Sequence, residues 1–186
     1  MKNIIIFASG KGSNAKNIID YFRDSDTRVA LIVTDNPIAG VLDIAARELI
    51  PTLIIDKETL NTSEFIHYLS SYDPSLIVLA GFLRLIPVDM TKTFKIVNIH
   101  PSLLPRYGGK GMYGEKVHQA VIDAKESKSG ITIHYVNENY DEGKTILQVS
   151  CKIKETDTIE TLQDRIHHLE HLYYPEIIDN IINYTN

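Results

Sequence analysis

The sequence predicts an α/β protein with a Rossmann-like, doubly wound sheet that is mostly parallel and ends in an antiparallel strand pair. Short apolar runs alternate with segments of helical periodicity through residues 4–80, which is the pattern of βαβ units. These runs are apolar at nearly every position, as expected for parallel strands that are buried on both faces. A glycine-rich turn also follows the first run, at the end of the strand where such sheets bind ligands.

The first half of the chain supplies the parallel part of this sheet. Apolar runs predict strands at residues 4–8, 29–33, 52–55 and 76–80. Apolar residues at helical spacing predict three helices between them, one ending near Phe22 and the others at residues 38–49 and 65–72. Each helix would connect one parallel strand to the next, since parallel neighbours need a crossover connection.

The second half predicts the antiparallel part. Strands are expected at residues 95–99, 131–136 and 145–153, and a helix at residues 117–124. The last two strands are separated by a polar loop of hairpin length, which makes them an antiparallel pair. The glycine-rich stretch at residues 102–114 predicts a mobile loop. The final segment, residues 158–182, predicts one long helix or two helices separated at Pro175.

Length and composition favour one domain covering residues 1–186. The chain has 44% hydrophobic and 23% charged residues, the ordinary range for soluble proteins, so its core needs no disulfide or metal. A net charge of -5 argues against nucleic acid as a partner. The single cysteine, Cys151, excludes an intramolecular disulfide, and no apolar run is long enough for a signal peptide or a membrane span. We therefore expect a cytoplasmic protein that is not associated with a membrane.

The turn at residues 10–15 is the first candidate binding site. Its glycines let the backbone approach an anion, and the following helix presents free N–H groups and a positive dipole end. A phosphate fits this arrangement, and a plain helix cap at Ser13 or Asn14 is the structural alternative. The run also satisfies the loose pattern G-x-G-x-x-A, with Asp35 at the distance of a ribose-binding acid, which leaves a nicotinamide-dependent oxidoreductase open.

Asn98 and His100 are the candidate catalytic pair. Alternation along a strand places both side chains on one face, at the carboxyl end where doubly wound sheets bind ligands. An amide can donate a hydrogen bond to a developing oxyanion while an imidazole moves a proton. Asp141, in the polar loop before the last strand, has an ordinary explanation as a turn residue, but it would raise the pKa of His100 if the two met.

The segment from His167 to His171 matches H-x-x-E-H, a zinc-protease pattern. A catalytic zinc ion needs a further protein ligand, and the spacing of the other histidines and acids singles out none. An ordinary charged helix face is therefore the better interpretation of this segment, and we expect no metal.

Four sequence blocks together resemble the phosphoribosylglycinamide formyltransferase family, nearly from end to end. They are S-G-K-G-S-N at residues 9–14, L-A-G-F-L-R-L-I at 79–86, N-I-H-P-S-L-L-P at 98–105, and Y-D-E-G at 140–143 with I-L-Q at 146–148. The third block is shared in looser form by other folate-dependent formyltransferases and by formyltetrahydrofolate deformylase. The N-terminal phosphate loop, without a preceding regulatory domain or a long tRNA-binding C-terminal domain, is similar to the glycinamide ribonucleotide enzymes in particular.

The resemblance implies a formyltransferase fold and two small-molecule substrates, in a monomer or a homodimer. The formyl donor would be 10-formyltetrahydrofolate as co-substrate, and the acceptor would be the amine of N1-(5-phosphoribosyl)glycinamide in de novo purine biosynthesis. The residues that it implies are catalytic Asn98, His100 and Asp141, acceptor-binding Gly12, Ser13, Asn14, His167 and Glu170, and folate-binding Leu83, Arg84, Leu85, Ile86, Asn98, Asn137, Glu138, Asn139, Tyr140 and Asp141.

The reaction assigns a task to each catalytic residue. When the amine attacks the formyl carbon, Asn98 would donate to the oxyanion, and a protonated His100 would stabilise charge and move protons. Asp141 would hold His100 and position a water that relays the proton. The stretch at residues 106–114 is longer and richer in glycine than the usual family loop. Another folate-dependent formyltransferase or a deformylase is the alternative; an NAD(P)-dependent oxidoreductase and a non-catalytic sensor are more remote.

Overall fold

A seven-stranded sheet with helices on both faces forms the protein in a computed structural model, which describes residues 1–184. The strands are β1 (Lys2–Phe7), β2 (Thr27–Thr34), β3 (Thr52–Ile54), β4 (Pro74–Leu79), β5 (Ile96–His100), β6 (Lys128–Tyr135) and β7 (Thr145–Lys152). The helices are α1 (Ser13–Tyr21), α2 (Val41–Arg47), α3 (Lys57–Leu60), α4 (Ser63–Ser70), α5 (Val88–Thr93), α6 (Glu115–Asp123) and α7 (Ile159–Tyr184).

The strand order is β3-β2-β1-β4-β5-β6-β7, and the first five strands along the chain are parallel. β6 runs antiparallel to β5, and β7 runs antiparallel to β6. The predicted doubly wound, mostly parallel sheet with antiparallel C-terminal strands is thus confirmed. The chain moves from β1 outward to β3 and then returns to β4 on the other side of β1. A crevice therefore opens at the carboxyl ends of β1 and β4, the point where such sheets bind ligands.

Two apolar cores cover the two faces of the sheet. One packs α1, α2, α6 and α7 against side chains such as Ile4, Ile6 and Val78, and the other packs α3, α4 and α5 against side chains such as Ile5 and Phe7. Consecutive residues of β1 thus enter opposite cores, since neighbouring side chains of a strand point to opposite faces. This burial on both faces explains why the sequence of β1 is continuously apolar.

The helices differ from the prediction in two respects, and α7 decides between two predicted alternatives. α2 begins at Val41, because residues 37–40 form turns and loop before it. α3 and α5 are helices that the periodicity did not predict, since four and six residues are too few to show a repeat. α7 continues through Pro175 as one helix, which decides between the two predicted arrangements. Among the described residues, no helix combines the length and apolar character needed to span a bilayer.

Candidate active site

A cavity of about 490 Å³ lies in the crevice at the carboxyl ends of β1, β4 and β5. Most of the residues predicted for the site line it: Gly12, Ser13, Asn14, Leu83, Arg84, Leu85, Ile86, Asn98, His100, Asn139, Tyr140, Asp141, His167 and Glu170. Asn137 and Glu138, which the resemblance assigns to folate binding, are not among the lining residues. The cavity therefore joins three places that are far apart in sequence: the glycine turn, the end of β5 and α7.

The glycine turn forms one end of the cavity. Gly12 takes the N-cap position of α1 in a left-handed conformation, with φ 82°, and no side chain caps the helix. A Cβ atom at Gly12 would lie 2.8 Å from the side chain of Val41, so the close approach of α2 also requires glycine here. The predicted alternative of a plain side-chain cap at Ser13 or Asn14 is therefore wrong. The uncapped helix end faces the cavity, as an anion site requires.

Glu170 on α7 reaches this end of the cavity. The Asn14 side-chain amide donates a hydrogen bond to Glu170 Oε2 at 2.9 Å. Burial raises the pKa of Glu170 to about 7, and the bond from Asn14 opposes this shift. The H-x-x-E-H segment thus presents Glu170 and His167 to the cavity. Among residues 1–184, no group of three or more His, Cys, Asp or Glu side chains is arranged to hold a metal ion.

Asn98, His100 and Asp141 meet at the centre of the cavity wall. The Asn98 amide donates to Asp141 Oδ1 at 3.4 Å, and His100 Nδ1 lies 3.5 Å from Asp141 Oδ2. The register of β5 and β6 places His134 directly opposite Asn98, on the same face of the sheet. His134 Nε2 lies 3.6 Å from Asp141 Oδ1, so the carboxylate stands between two imidazoles.

Each of the two histidines has one ring nitrogen at a backbone carbonyl and the other at Asp141. His100 Nε2 lies 2.7 Å from the carbonyl oxygen of Tyr107, and His134 Nδ1 lies 2.9 Å from that of Tyr135. Because a carbonyl oxygen only accepts, both of these ring nitrogens are donors. The remaining nitrogen of each ring faces Asp141. His100 Nδ1 is therefore the nitrogen that can gain or lose a proton beside the carboxylate.

Burial and charge act in opposite directions on this pair. Burial lowers the pKa of His100, and the attraction of Asp141 raises it by a smaller amount, so the net shift is downward. The prediction that Asp141 would raise the pKa of His100 is confirmed, although the larger effect of burial outweighs this contribution. Burial alone would raise the pKa of Asp141, but His134, His100 and the Gly109 N–H together lower it. Asp141 is consequently a carboxylate at neutral pH.

The N-I-H-P-S-L-L-P block and the glycine-rich stretch are anchored to the antiparallel strands. The Thr132 hydroxyl donates to the carbonyl of Ser102 at 2.7 Å, and the Leu104 N–H donates to Thr132 at 3.0 Å. The Gln148 amide donates to the Leu104 carbonyl at 2.7 Å, which gives the I-L-Q motif a structural task. The Gly109 N–H donates to Asp141 Oδ2 at 2.9 Å. These bonds set the position of His100 through its neighbours. The mobility of the glycine-rich stretch at residues 102–114 stays a prediction.

The Asp35 carboxylate is not available to bind a ribose. It accepts a hydrogen bond from the Ser9 hydroxyl at 2.5 Å and pairs with Arg84 at 2.6 Å between Oδ2 and Nε. The carboxylate is therefore already engaged by side chains of the protein. This argues against the dinucleotide pattern, in which Asp35 would bind a ribose. Arg84 lines the cavity but directs its Nε to Asp35.

Sequence reasoning missed two histidines of the cavity. His134 lies beside Asp141, and His118 on α6 is buried, with burial lowering its pKa to about 4. A signal for His134 was present, because Thr132 and His134 alternate with isoleucines in β6. That alternation predicts a polar face opposite Asn98 and His100. For His118 there was no comparable signal, since a histidine in an amphipathic helix is ordinary.

Comparison with known proteins agrees with this geometry. Residues 2–178 match the family described as Formyl transferase. A phosphoribosylglycinamide formyltransferase of Bacillus subtilis is 38% identical over 195 residues, covering 100% of this chain and 97% of that protein. The chloroplastic phosphoribosylglycinamide formyltransferase of Arabidopsis thaliana is 40% identical over 97% of this chain. The chain spans 65% of that protein and 60% of the one from Vigna unguiculata.

Solved structures agree as well. The crystal structure of phosphoribosylglycinamide formyltransferase from Bacillus halodurans superposes with a TM-score of 0.88 at 34% identity, covering 100% of this chain and 97% of the other. The crystal structure of glycinamide ribonucleotide transformylase 1 from Geobacillus kaustophilus gives a TM-score of 0.87 at 36% identity, with 98% and 100% covered. The chain therefore belongs to the formyl transferase family, among the phosphoribosylglycinamide formyltransferases.

Proposed function

We propose that the protein transfers the formyl group of 10-formyltetrahydrofolate to the amine of N1-(5-phosphoribosyl)glycinamide, in de novo purine biosynthesis. The observation that carries this proposal is the meeting of Asn98, His100 and Asp141 between the glycine turn and residues 83–86, along one cavity. A phosphorylated acceptor and a folate donor would approach this group from opposite sides. Their reacting atoms would then meet at the end of β5.

Each end of the cavity suits one substrate. The phosphate of the acceptor would bind at Gly12, Ser13 and Asn14, where an uncapped helix presents N–H groups. Glu170 would accept from a hydroxyl or amide donor of the same substrate. The folate ring would lie against residues 83–86 and 139–141, which offer apolar side chains and backbone hydrogen-bonding groups. A cytoplasmic location, a single domain over residues 1–186 and a choice between monomer and homodimer are parts of the same proposal.

The chemistry follows from the atoms at the centre. The acceptor amine attacks the formyl carbon, so negative charge develops on the formyl oxygen and the Asn98 amide donates to it. The attacking nitrogen must lose a proton, and the folate nitrogen that leaves must gain one. His100 exchanges protons through Nδ1, since Nε2 donates to the Tyr107 carbonyl. Asp141 holds His100 in this orientation and positions a water that relays the proton between the two nitrogens.

The proposal is tested by following loss of the formyl group from 10-formyltetrahydrofolate, with and without N1-(5-phosphoribosyl)glycinamide and with an unrelated amine as control. We expect turnover that requires the phosphoribosyl acceptor. Deformylation by water alone would assign the protein to the deformylases instead. Absence of any reaction would contradict both assignments, and titration with NAD and NADP would then test the oxidoreductase alternative.

Two variants connect this activity to the proposed centre. Asn98→Ala removes the oxyanion donor, and we expect kcat to fall by about 10² to 10³. His100→Ala removes the proton-transfer group, and we expect a loss of about 10² to 10⁴. Circular dichroism of both variants checks that they are folded. Rates close to those of the wild type in both variants would contradict the proposed mechanism.

A further inference from the structure

Ser9, Asp35 and Arg84 form a polar cluster that connects the two substrate ends of the cavity. Ser9 belongs to the turn at residues 9–14, and Arg84 belongs to the segment at residues 82–86. Asp35 follows β2 and lines neither end of the cavity, yet its carboxylate contacts both of the other residues. The reaction described above assigns no task to it.

The Ser9 hydroxyl is fixed from two sides. It donates its proton to Asp35 Oδ1 at 2.5 Å, and it accepts from the backbone N–H of Leu83 at 3.2 Å. A hydroxyl has one proton and two lone pairs, so donation to Asp35 turns its lone pairs toward other donors. The carboxylate thereby prepares Ser9 to accept from the backbone of residue 83.

Arg84 is held by the other oxygen of the same carboxylate. The distance from Arg84 Nε to Asp35 Oδ2 is 2.6 Å, and the Asp35 side chain is only 12% exposed. This contact is an ion pair without hydrogen-bond geometry at Nε, and partial burial makes it stronger than a pair at the open surface. One carboxylate therefore anchors two consecutive residues, Leu83 through a hydroxyl and Arg84 directly.

These anchors matter because regular structure does not hold the segment. Residues 80–87 lie between β4 and α5 without helix or strand, and the chain enters them at Gly81 with φ 79°. The Ser9 N–H also donates to the Gly81 carbonyl at 3.1 Å, which supports the start of the segment. Beyond this point, the contacts at Leu83 and Arg84 act together with the packing of Phe82 and Ile86 in the apolar core, and they add the polar connection to the turn at residues 9–14.

We propose that Asp35 is a positioning residue, which sets the segment at residues 82–86 at the distance from the phosphate turn that the folate donor needs. This inference rests on the proposed function, because it takes residues 82–86 as the folate side. Asp35 acts through Ser9 and Arg84 and touches neither substrate. Its loss should therefore weaken binding of the donor while leaving the reacting groups in place.

The test compares Asp35→Asn with the wild type in two measurements. Asparagine keeps the size of the side chain but turns an uncharged group toward Arg84. Hydrogen exchange of the free protein reports the anchor, and we expect the Leu83 amide to exchange about fivefold to tenfold faster. Steady-state kinetics report the position, and we expect KM for 10-formyltetrahydrofolate to rise by about fivefold to tenfold, with kcat and the acceptor KM within about twofold.

Two further variants make the result specific. Asp157→Asn breaks another aspartate–arginine ion pair, with Arg165 at 2.8 Å, that lies outside the cavity. It should change neither measurement at residues 82–86. Ser9→Ala removes the acceptor of the Leu83 N–H and should reproduce the faster exchange of that amide. Agreement between Asp35→Asn and Ser9→Ala would support the proposed route through the hydroxyl.

Unchanged exchange at residue 83 in Asp35→Asn, or a fall in kcat with an unchanged donor KM, would overturn the inference. So would faster exchange with no change in donor KM, because the anchor would then have no role in binding. If the wild-type protein itself transfers no formyl group, the proposed function fails. The exchange comparison still decides whether Asp35 positions residues 82–86.

Discussion

Asp141 and Glu170 are two carboxylates of one cavity with little exposure to solvent, but their protonation differs. The Asp141 side chain is 11% exposed and Glu170 is 6% exposed, and burial alone would raise the pKa of each. Around Asp141, two histidines and the Gly109 N–H more than compensate, and its pKa falls. Around Glu170, the opposing contact is the neutral amide of Asn14, and its pKa rises to about 7.

The difference shows that the donors around a buried acid, rather than its burial, determine its charge. Asp141 is held as an anion before any ligand binds, which suits a group that must orient His100 throughout a reaction. At neutral pH, Glu170 is present in comparable amounts as the neutral acid and as the anion. A ligand that donates to it would favour the anion, so the binding of such a ligand and the charge of Glu170 are linked.

The largest effect is expected when the charge of Asp141 is removed. Asp141→Asn keeps the shape, and asparagine tolerates the left-handed backbone at this position, where φ is 58°. Without the anion, the Nδ1 side of His100 loses its partner, and we expect kcat to fall by about 10² to 10⁴. Steady-state kinetics at pH 8 measure this loss.

The neighbouring exposed acid provides the control for Asp141→Asn. Glu142→Gln removes one negative charge from the same loop without touching the cavity, and it should keep the rate of the wild type. Equal losses in the two variants would mean that the loop, rather than the Asp141 carboxylate, controls the rate. A fully active Asp141→Asn protein would remove Asp141 from the mechanism.

The sequence predicted the parts of the molecule that local patterns determine. β1 shows a continuous apolar run because both of its faces are buried, and Asn98 and His100 share a face because strands alternate. α3 was missed because it has four residues and depends on its cap, where Asp56 accepts from the Thr59 N–H at 2.7 Å. A cap of this kind is visible in the sequence, but it does not distinguish a short helix from a turn.

The meeting of Asp141 with His100 could not be read from local patterns. The residues are 41 positions apart, and their contact depends on the β5–β6 pairing and on the Gly109 N–H that holds the carboxylate. The net pKa shift of His100 was also out of reach, because it is a balance between burial and the charge of Asp141. The motif resemblance supplied this contact as an expectation, and the folded chain supplies its geometry.

Glu170→Gln should have the next largest effect, and it should stabilise the protein. The pKa of Glu170 is about 7 in the folded chain and 4.5 as its ordinary value, so its contribution to stability is present below pH 4.5 and is lost as the pH rises through 7. Glutamine does not ionise, so the variant keeps this stability at high pH. We expect the free energy of unfolding at pH 8 to rise by about 2–3 kcal/mol, and by less than about 1 kcal/mol at pH 5.

Urea unfolding at the two pH values measures this effect, with Glu142→Gln as the exposed control that should change stability at neither pH. The acceptor KM of Glu170→Gln should rise at the same time, because a neutral amide accepts more weakly than a carboxylate. A variant that is less stable than the wild type at pH 8 would show that Glu170 is stabilised as an anion. The contrast with Asp141 would then disappear.

The smallest effect is expected from His134→Gln, which makes the surroundings of Asp141 more like those of Glu170. Removing this histidine takes away a group that lowers the pKa of Asp141, so that pKa should rise. Activity that needs the anion would then be lost at a higher pH on acidification, and we expect the acid limb of kcat to shift to higher pH. His168→Gln, on the exposed face of α7, should leave the profile unchanged. An unshifted acid limb in His134→Gln would mean that His100 and the Gly109 N–H suffice to keep Asp141 charged, and that His134 serves mainly to orient the Asn98 amide, 3.2 Å from its Nε2.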